Sequence, residues 1–151
     1  PQAARPLGGR RRAASLRGEP FRFLVRVYYE DTDAAGVVYY ANYLKYMERA
    51  RTEWLEAFGH PLAAFEREHN LVFVVHRCEI DYRRPARLND LLEVTVEAET
   101  VGGSRFVAVQ RVERGGEVLT DARVSLACLD AKRWRPMRIP ASLLQRLESN
   151  T

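Results

Sequence analysis

Three carboxylates lie close together in the segment YYEDTDAAGVVYY, at Glu30, Asp31 and Asp33. A carboxylate held beside a reacting group can take a proton from water or attack an electrophilic carbon. The pattern after Asp33 leads without a breaker into an amphipathic helix, so Asp33 is predicted just upstream of the helix N-terminus. Backbone N–H groups there lack partners and the helix dipole is positive, which favours a developing negative charge. The segment therefore indicates a base beside an oxyanion-binding helix end.

Four tyrosines follow the acidic residues, at Tyr39, Tyr40, Tyr43 and Tyr46. So many rings are typical of the wall of a ligand pocket, although a subunit contact uses the same residue type. A second alternative is that Asp33 caps the helix and does nothing more. The residues alone leave these alternatives open.

Other familiar kinds of site are excluded by missing motifs. No serine lies in a GxSxG motif, and no glycine-rich segment matches a dinucleotide loop. The histidines, His60, His69 and His76, lack metal-ligand spacing, so we expect neither a metal nor a bound cofactor. Cys78 and Cys128 have no CxxC spacing and are expected to be reduced, buried thiols of a cytoplasmic protein.

The helix that positions these groups is predicted from an apolar stripe at three- and four-residue spacing: Tyr43, Met47, Ala50, Trp54 and Phe58. Gly59 supplies a left-handed cap position and Pro61 follows it. Period-two alternation predicts strands at 21–29 and 92–99. A stop at Arg84-Pro85 bounds another strand at 71–82, and the hairpin glycines at 102–103 and 115–116 lead into strands at 105–113 and 118–129. Pro140 opens a short last helix. One antiparallel sheet curled around one long helix, an α+β architecture, buries these faces most simply.

The charge of the chain is concentrated at its start. Of a net charge of +4 over 151 residues, residues 1–18 carry five arginines and no acid, so the remainder sums to −1. We expect 1–18 to be a disordered basic tail and 19–151 to be a single domain. The tail is expected to be solvated rather than to bind nucleic acid or anionic lipid, and it has no apolar core of a secretory signal. No apolar run is long enough for a membrane span.

The run RVYYEDTDAAGVVYYANYLKYMERARTEWL resembles the signature of hotdog-fold acyl-CoA thioesterases of the 4-hydroxybenzoyl-CoA thioesterase type. Within that family it is most similar to the branch associated with the Tol–Pal system. The likeness continues through FVVHRCEIDYRRPARLNDLLEV, GGSRFVAVQR and RPMRIPASLLQRL, and so covers residues 22 to about 147. The resemblance implies a hotdog fold, in which an antiparallel sheet wraps a long helix. It also implies a homodimer or homotetramer whose sites are each built from two subunits.

The resemblance also implies roles for particular residues. Asp33 matches the catalytic carboxylate, and Tyr29 matches another active-site position. Val74, Val75 and His76 align with a pocket strand, whereas Gly102, Gly103 and Ser104 align with a turn that contacts CoA. The Tol–Pal branch commonly has histidine where this chain has Tyr40. The 4-hydroxybenzoyl-CoA branch has tyrosine there and uses its backbone N–H to polarise the thioester carbonyl.

These residues predict an acyl-CoA thioester hydrolase in which CoA is part of the substrate and Asp33 is general base or nucleophile. Tyr40 and the tyrosine cluster favour an aroyl-CoA substrate as an alternative. A third interpretation is a non-catalytic protein that binds acyl carrier protein or envelope-linked partners. A hotdog dehydratase is disfavoured because no histidine lies near the predicted helix start.

Overall fold

Five antiparallel strands form one sheet in the computed structural model, which describes residues 19–59 and 62–149. The strands are β1 (Phe21–Arg26), β2 (Leu71–Tyr82), β3 (Leu91–Val101), β4 (Arg105–Arg114) and β5 (Glu117–Asp130). Their order in the sheet is β1-β3-β4-β5-β2, so β1 and β2 form its edges. The predicted basic tail, His60 and Pro61 lie outside the described residues.

The longest helix, α1 (Asn42–Glu56), packs on one face of the sheet against β1, β3 and β4. Two shorter helices, α2 (Leu62–His69) and α3 (Ala141–Ser149), complete the described fold. The buried residues of α1 are Tyr43, Tyr46, Met47, Ala50, Trp54 and Leu55. The predicted stripe is thus found as far as Trp54, while Phe58 lies beyond the helix end and is partly buried. Gly59 has the positive φ, +102°, expected of a residue that ends a helix.

The alternation of the first strand stops earlier than predicted. β1 ends at Arg26, and a single 3₁₀ turn occupies Tyr29–Asp31. The Asp31 carboxylate accepts a hydrogen bond from the Tyr28 N–H at 2.8 Å, and the Thr32 hydroxyl donates to the Tyr29 carbonyl at 2.8 Å. These local bonds compete with strand pairing, so the Tyr29 side chain is 82% exposed instead of facing the core.

The start of α1 also differs from the prediction. The helix begins at Asn42, and Tyr39 to Asn42 form a tight turn closed by a hydrogen bond from the Asn42 N–H to the Tyr39 carbonyl at 2.8 Å. Ala41 precedes the helix and supplies no capping side chain. Tyr40 therefore lies just outside the helix, and the interpretation of Asp33 as the helix cap is wrong.

The two cysteines have different environments. Cys128 on β5 is buried, as predicted, whereas Cys78 on β2 is exposed. The difference arises because Cys78 lies on the exposed half of an edge strand, between Val75 and Tyr82.

Candidate active site

Asp33 lies in a small hairpin in which Thr32 pairs with Val38. Its N–H donates to the Val37 carbonyl at 2.9 Å, and its own carbonyl accepts from the Gly36 N–H at 2.9 Å. Carboxylate oxygen Oδ1 accepts from the Ala35 N–H at 2.8 Å. The backbone and one carboxylate oxygen are thereby fixed, and Gly36 takes the positive φ, +79°, that the turn requires.

The three acids of this segment are not equivalent. Asp31 uses Oδ2 to accept from the Tyr28 N–H, so its carboxylate closes the 3₁₀ turn. Glu30 is exposed. Asp33 is exposed as well, and among the described residues its Oδ2 atom makes no hydrogen bond. Asp33 is thus the acid that combines a fixed position with one oxygen left for a reaction.

The Asp33 hairpin is fastened to the connection between β2 and β3. The Val38 N–H donates to the Ala86 carbonyl at 2.8 Å, and Val37 forms a bridge with Arg87. From the other side, the Ala86 N–H donates to the Tyr43 hydroxyl at 3.0 Å. The hairpin, the connection and α1 therefore hold one another through Ala86, which is completely buried.

Asp90 closes this connection. Its carboxylate accepts from the Arg87 N–H at 2.8 Å and from the Arg114 guanidinium at 2.7 Å. Partial burial raises the pKa of Asp90, but these hydrogen bonds outweigh burial and hold the pKa below its usual value. A charged Asp90 consequently stabilises the segment that carries the Asp33 hairpin.

The Tyr40 N–H is oriented by the turn that precedes α1. Because a trans peptide is planar, the Tyr39 carbonyl and the Tyr40 N–H point in opposite directions. The carbonyl accepts from Asn42, inside the helix, so the N–H points away from the helix start. In the part of the chain that the structure describes, this N–H has no hydrogen-bond acceptor. It can therefore donate to a bound group.

A cavity of about 250 Å³ borders Tyr40. Its apolar wall consists of Val38, Tyr40, Tyr43, Tyr82 and Pro85. The Tyr82 ring meets the Tyr40 and Tyr43 rings edge to face, with centroids 6.0 and 5.5 Å apart. The rings therefore form one wall, and that wall continues onto the end of β2.

The other predicted site residues on β2, at 74–76, lie in its first half. Val74 and Val75 are half-buried and exposed, respectively, and His76 is the extra residue of a β-bulge between Val75 and Arg77. The turn at 102–104 lies nearby, because the Ser104 carbonyl accepts from Cys128, which pairs with Phe73.

Arg138 packs on this glycine turn. The Gly103 carbonyl accepts from the Ile139 N–H at 2.8 Å, and a Cβ on Gly103 would come within 3.3 Å of the Arg138 guanidinium. The turn therefore lies beside a guanidinium, a group suited to binding a phosphate. Arg138 was not among the site residues predicted from the sequence. The only signal for it there is the basic composition of residues 132–138.

Within one chain these two groups of residues do not meet. Val74 and Tyr82 are eight positions apart on the same strand, which corresponds to about 26 Å at the usual rise of about 3.3 Å per residue. Asp33 and Tyr40 belong to the Tyr82 end, and the glycine turn belongs to the Val74 end. The Tyr29 side chain joins neither group, since it makes no hydrogen bond or ring contact among the described residues.

No group of three His, Cys, Asp or Glu side chains is placed to hold a metal ion within 19–59 and 62–149. Over the same ranges, none of the helices has the length and apolar character needed to cross a bilayer.

The fold has known counterparts. A solved structure, a probable thioesterase from Bartonella henselae, superimposes with a TM-score of 0.75 at 36% identity and covers 81% of this chain and 100% of that one. The arrangement is the hotdog fold, so the predicted fold class is confirmed. Residues 27–147 match the Thioesterase-like superfamily, and the chain belongs to that family.

Two curated relatives are similar over most of their length. An acyl-CoA thioesterase, YbgC, of Haemophilus influenzae is 45% identical, and the match covers 80% of this chain and 88% of that protein. A 1,4-dihydroxy-2-naphthoyl-CoA hydrolase of Nostoc punctiforme is 31% identical, and the match covers 86% of this chain and 88% of that protein. The predicted enzyme class, a thioesterase, is confirmed by these matches.

Proposed function

We propose that the protein hydrolyses acyl-CoA thioesters and that Asp33 supplies the reacting carboxylate. The observation that carries this proposal is the fixed Asp33 side chain with one oxygen atom free of hydrogen bonds to the described residues. In this mechanism Asp33 takes a proton from the attacking water or attacks the thioester carbon itself. The bond between the acyl carbon and sulfur then breaks, and the products are a carboxylic acid and CoA.

The Tyr40 N–H binds the thioester oxygen as negative charge develops on it. This donor is already oriented by the turn at 39–42, so it needs little rearrangement during the reaction. A preorganised donor of this kind is typically worth about 10²–10³ in rate. The positive end of α1, one turn away, adds a favourable field.

Each site is assembled from two subunits in this proposal. β2 is an edge strand, and along the described residues its outer edge has no partner strand. If two β2 strands pair antiparallel about a twofold axis near Cys78, Val74 of one subunit lies opposite Tyr82 of the other. The two halves of the predicted site then meet, and an exposed sheet edge is covered.

The turn at 102–104 binds CoA through backbone groups and Arg138, and Val74, Val75 and His76 line the path from this turn to the partner's carboxylate. Tyr29 joins the site in the same assembly, since its exposed ring has no contact in its own subunit among the described residues. A dimer satisfies these requirements, and a homotetramer is two such dimers. Neither a metal nor a bound cofactor takes part.

An aroyl group is the second candidate for the acyl part of the substrate. The observation that favours it is the edge-to-face cluster of Tyr40, Tyr43 and Tyr82 around the cavity, since a planar ring can add to such a cluster. The relative named as a naphthoyl-CoA hydrolase supports the same choice. An acyl carrier protein as donor, a cytoplasmic location and a link to a Tol–Pal system remain predictions from the sequence resemblance.

The proposal is tested with Asp33→Asn and the matched variant Glu30→Gln, each of which removes one charge from the same loop. Asparagine keeps an oxygen for the Ala35 N–H, so folding persists while the base is lost. Thiol release is measured over aliphatic acyl-CoAs of several lengths, aromatic acyl-CoAs and acyl carrier proteins. We expect Asp33→Asn to lower turnover by about 10² or more, with Glu30→Gln close to wild type.

Near-normal turnover of Asp33→Asn contradicts the assignment of the base. If the wild-type protein binds these thioesters and releases no thiol from any of them, the protein is a binding protein and not a hydrolase.

A further inference from the structure

A contact between two distant parts of the chain fixes the peptide group that follows Tyr40, between Tyr40 and Ala41. The Tyr82 hydroxyl donates to the Tyr40 carbonyl at 3.1 Å, across 42 positions of sequence. The peptide group on the other side of Tyr40 is fixed by the bond from the Asn42 N–H to the Tyr39 carbonyl. Both torsions of Tyr40 are therefore restrained, one by the helix start and one by the end of β2.

The Tyr82 hydroxyl is well suited to remain a donor. Burial is the main cause that raises the pKa of the Tyr82 phenol above its usual value. Electrostatic interactions with Cys78, Tyr40 and Tyr43 raise this pKa further. The phenol consequently keeps its proton at neutral pH and cannot lose the hydrogen bond by ionising. Its ring is half-exposed and borders the same cavity as Tyr40, so the contact lies at the site and not in the core.

The end of β2 is itself held in place. Arg83, the next residue, forms an ion pair with Asp121, whose side chain is completely buried. The Arg83 N–H donates to the Leu119 carbonyl at 2.8 Å, which ties the strand end to β5. The hydroxyl therefore reaches Tyr40 from a rigid element, as positioning groups generally require.

On this basis, and resting on the proposed hydrolase function, we propose that Tyr82 is a positioning residue for the oxyanion donor: its hydroxyl holds Tyr40 so that the Tyr40 N–H points at the thioester oxygen. The Tyr82 ring has a separate task, as part of the acyl wall. The two tasks belong to different atoms of one side chain and can be separated by substitution.

The test compares Tyr82→Phe with Tyr82→Ala on one thioester that the wild-type protein hydrolyses. Phenylalanine keeps the ring and removes the hydroxyl, so kcat falls by about 3- to 10-fold, the worth of one hydrogen bond, with KM unchanged. Alanine also removes the ring, so KM rises as well. The melting temperature of Tyr82→Phe stays within about 2 °C of wild type, because water can replace the half-exposed hydroxyl.

Tyr43→Phe calibrates the effect of lost stability. This substitution removes a phenol from the same cluster, but the Tyr43 hydroxyl accepts from the Ala86 N–H and, among the described residues, makes no hydrogen bond to Tyr40. Leaving that buried N–H unpaired lowers the melting temperature by several degrees. Because Ala86 also fastens the Asp33 hairpin, the accompanying change in kcat is an upper bound on what this loss of stability by itself does to turnover.

A direct readout is the amide resonance of Ala41, whose N–H belongs to the same peptide group as the Tyr40 carbonyl. It shifts in Tyr82→Phe if the hydrogen bond exists in solution. The inference is overturned if kcat of Tyr82→Phe stays within twofold of wild type, or if kcat falls only in proportion to stability as in Tyr43→Phe. A wild-type protein without thioesterase activity overturns the proposed function and this inference together, whereas an active protein with a silent Tyr82→Phe overturns this inference alone.

Discussion

The proposed division of the active site between the two ends of β2 gives a quantitative prediction for mixed assemblies. Asp33→Asn removes the base at one end, and Gly103→Asp places a carboxylate beside Arg138 at the other end, where a phosphate is proposed to bind. Each variant is expected to be inactive by itself. The Gly103 change is sterically mild, because the added atom meets the tip of a flexible arginine at 3.3 Å.

The activity expected of the mixture follows from counting the active sites that keep both of their parts. Within one chain Asp33 and Gly103 belong to opposite ends of β2, since Tyr82 and Val74 are about 26 Å apart along the strand, and in the proposed dimer they adjoin only across the twofold axis. When the two inactive variants are mixed at random, half of the dimers are heterodimers. One of their two sites combines an intact Asp33 from one subunit with an intact turn from the other. About a quarter of wild-type activity therefore returns.

The assay is thiol release after co-expression of the two chains with different affinity tags. A matched control mixes wild type with the chain that carries both substitutions. Shared sites predict about a quarter of wild-type activity for this control, whereas sites contained in one chain predict about a half. If the two single variants fail to complement and the control gives a half, the two-subunit site is refuted. An active monomer in light scattering leads to the same conclusion.

Two further predictions concern single residues. Tyr40→Pro removes the proposed oxyanion donor at the second position of the 39–42 turn, where proline is favoured, so turnover falls by about 10²–10³ while the protein folds. Tyr40→Phe and Tyr40→His keep the N–H and retain substantial turnover. Equal losses in Tyr40→Phe and Tyr40→Pro, measured by thiol release, indicate that the phenol and not the N–H acts. Asp90→Asn tests the fastening of the Asp33 hairpin. Because the folded pKa of Asp90 is lowered, its charge contributes stability above the ordinary value of 3.8, and this contribution is lost as the pH falls through the lowered pKa. The Asp90→Asn variant therefore melts about 1–3 °C lower than wild type at pH 7. It also loses less stability than wild type when the pH is lowered. If the melting temperatures of the two proteins fall in parallel with pH, this reasoning is wrong.

Most of the fold could be predicted from sequence because its signals are local. β2 occupies 71–82 as predicted, since the apolar run 71–75 opens the strand and Arg84-Pro85 follows its end. The stripe from Tyr43 to Trp54 likewise places α1 on the sheet. The start of α1 at Asn42 was missed because Ala41 has no capping side chain, and a helix without a cap leaves no mark in the sequence.

The site was predictable only in part. Asp33 could be proposed from its motif, but the hydrogen bonds that distinguish it from Asp31 depend on the folded turn. The His76 bulge has no residue signature, and the contact from Tyr82 to Tyr40 joins residues 42 positions apart. Nothing in local periodicity reports such pairings.

The fastening of the Asp33 hairpin to Ala86 and Arg87 bears on how this enzyme could change its substrate during evolution. The carboxylate is carried by a hairpin bonded through main-chain atoms, and main-chain bonds survive most substitutions. The cavity beside Tyr40 is instead shaped in part by the side chains of Val38 and Pro85. Mutations at those positions can therefore enlarge, narrow or polarise the cavity while the proposed base, Asp33, stays in place. Descendants of this sequence can diverge in substrate without first losing the reaction.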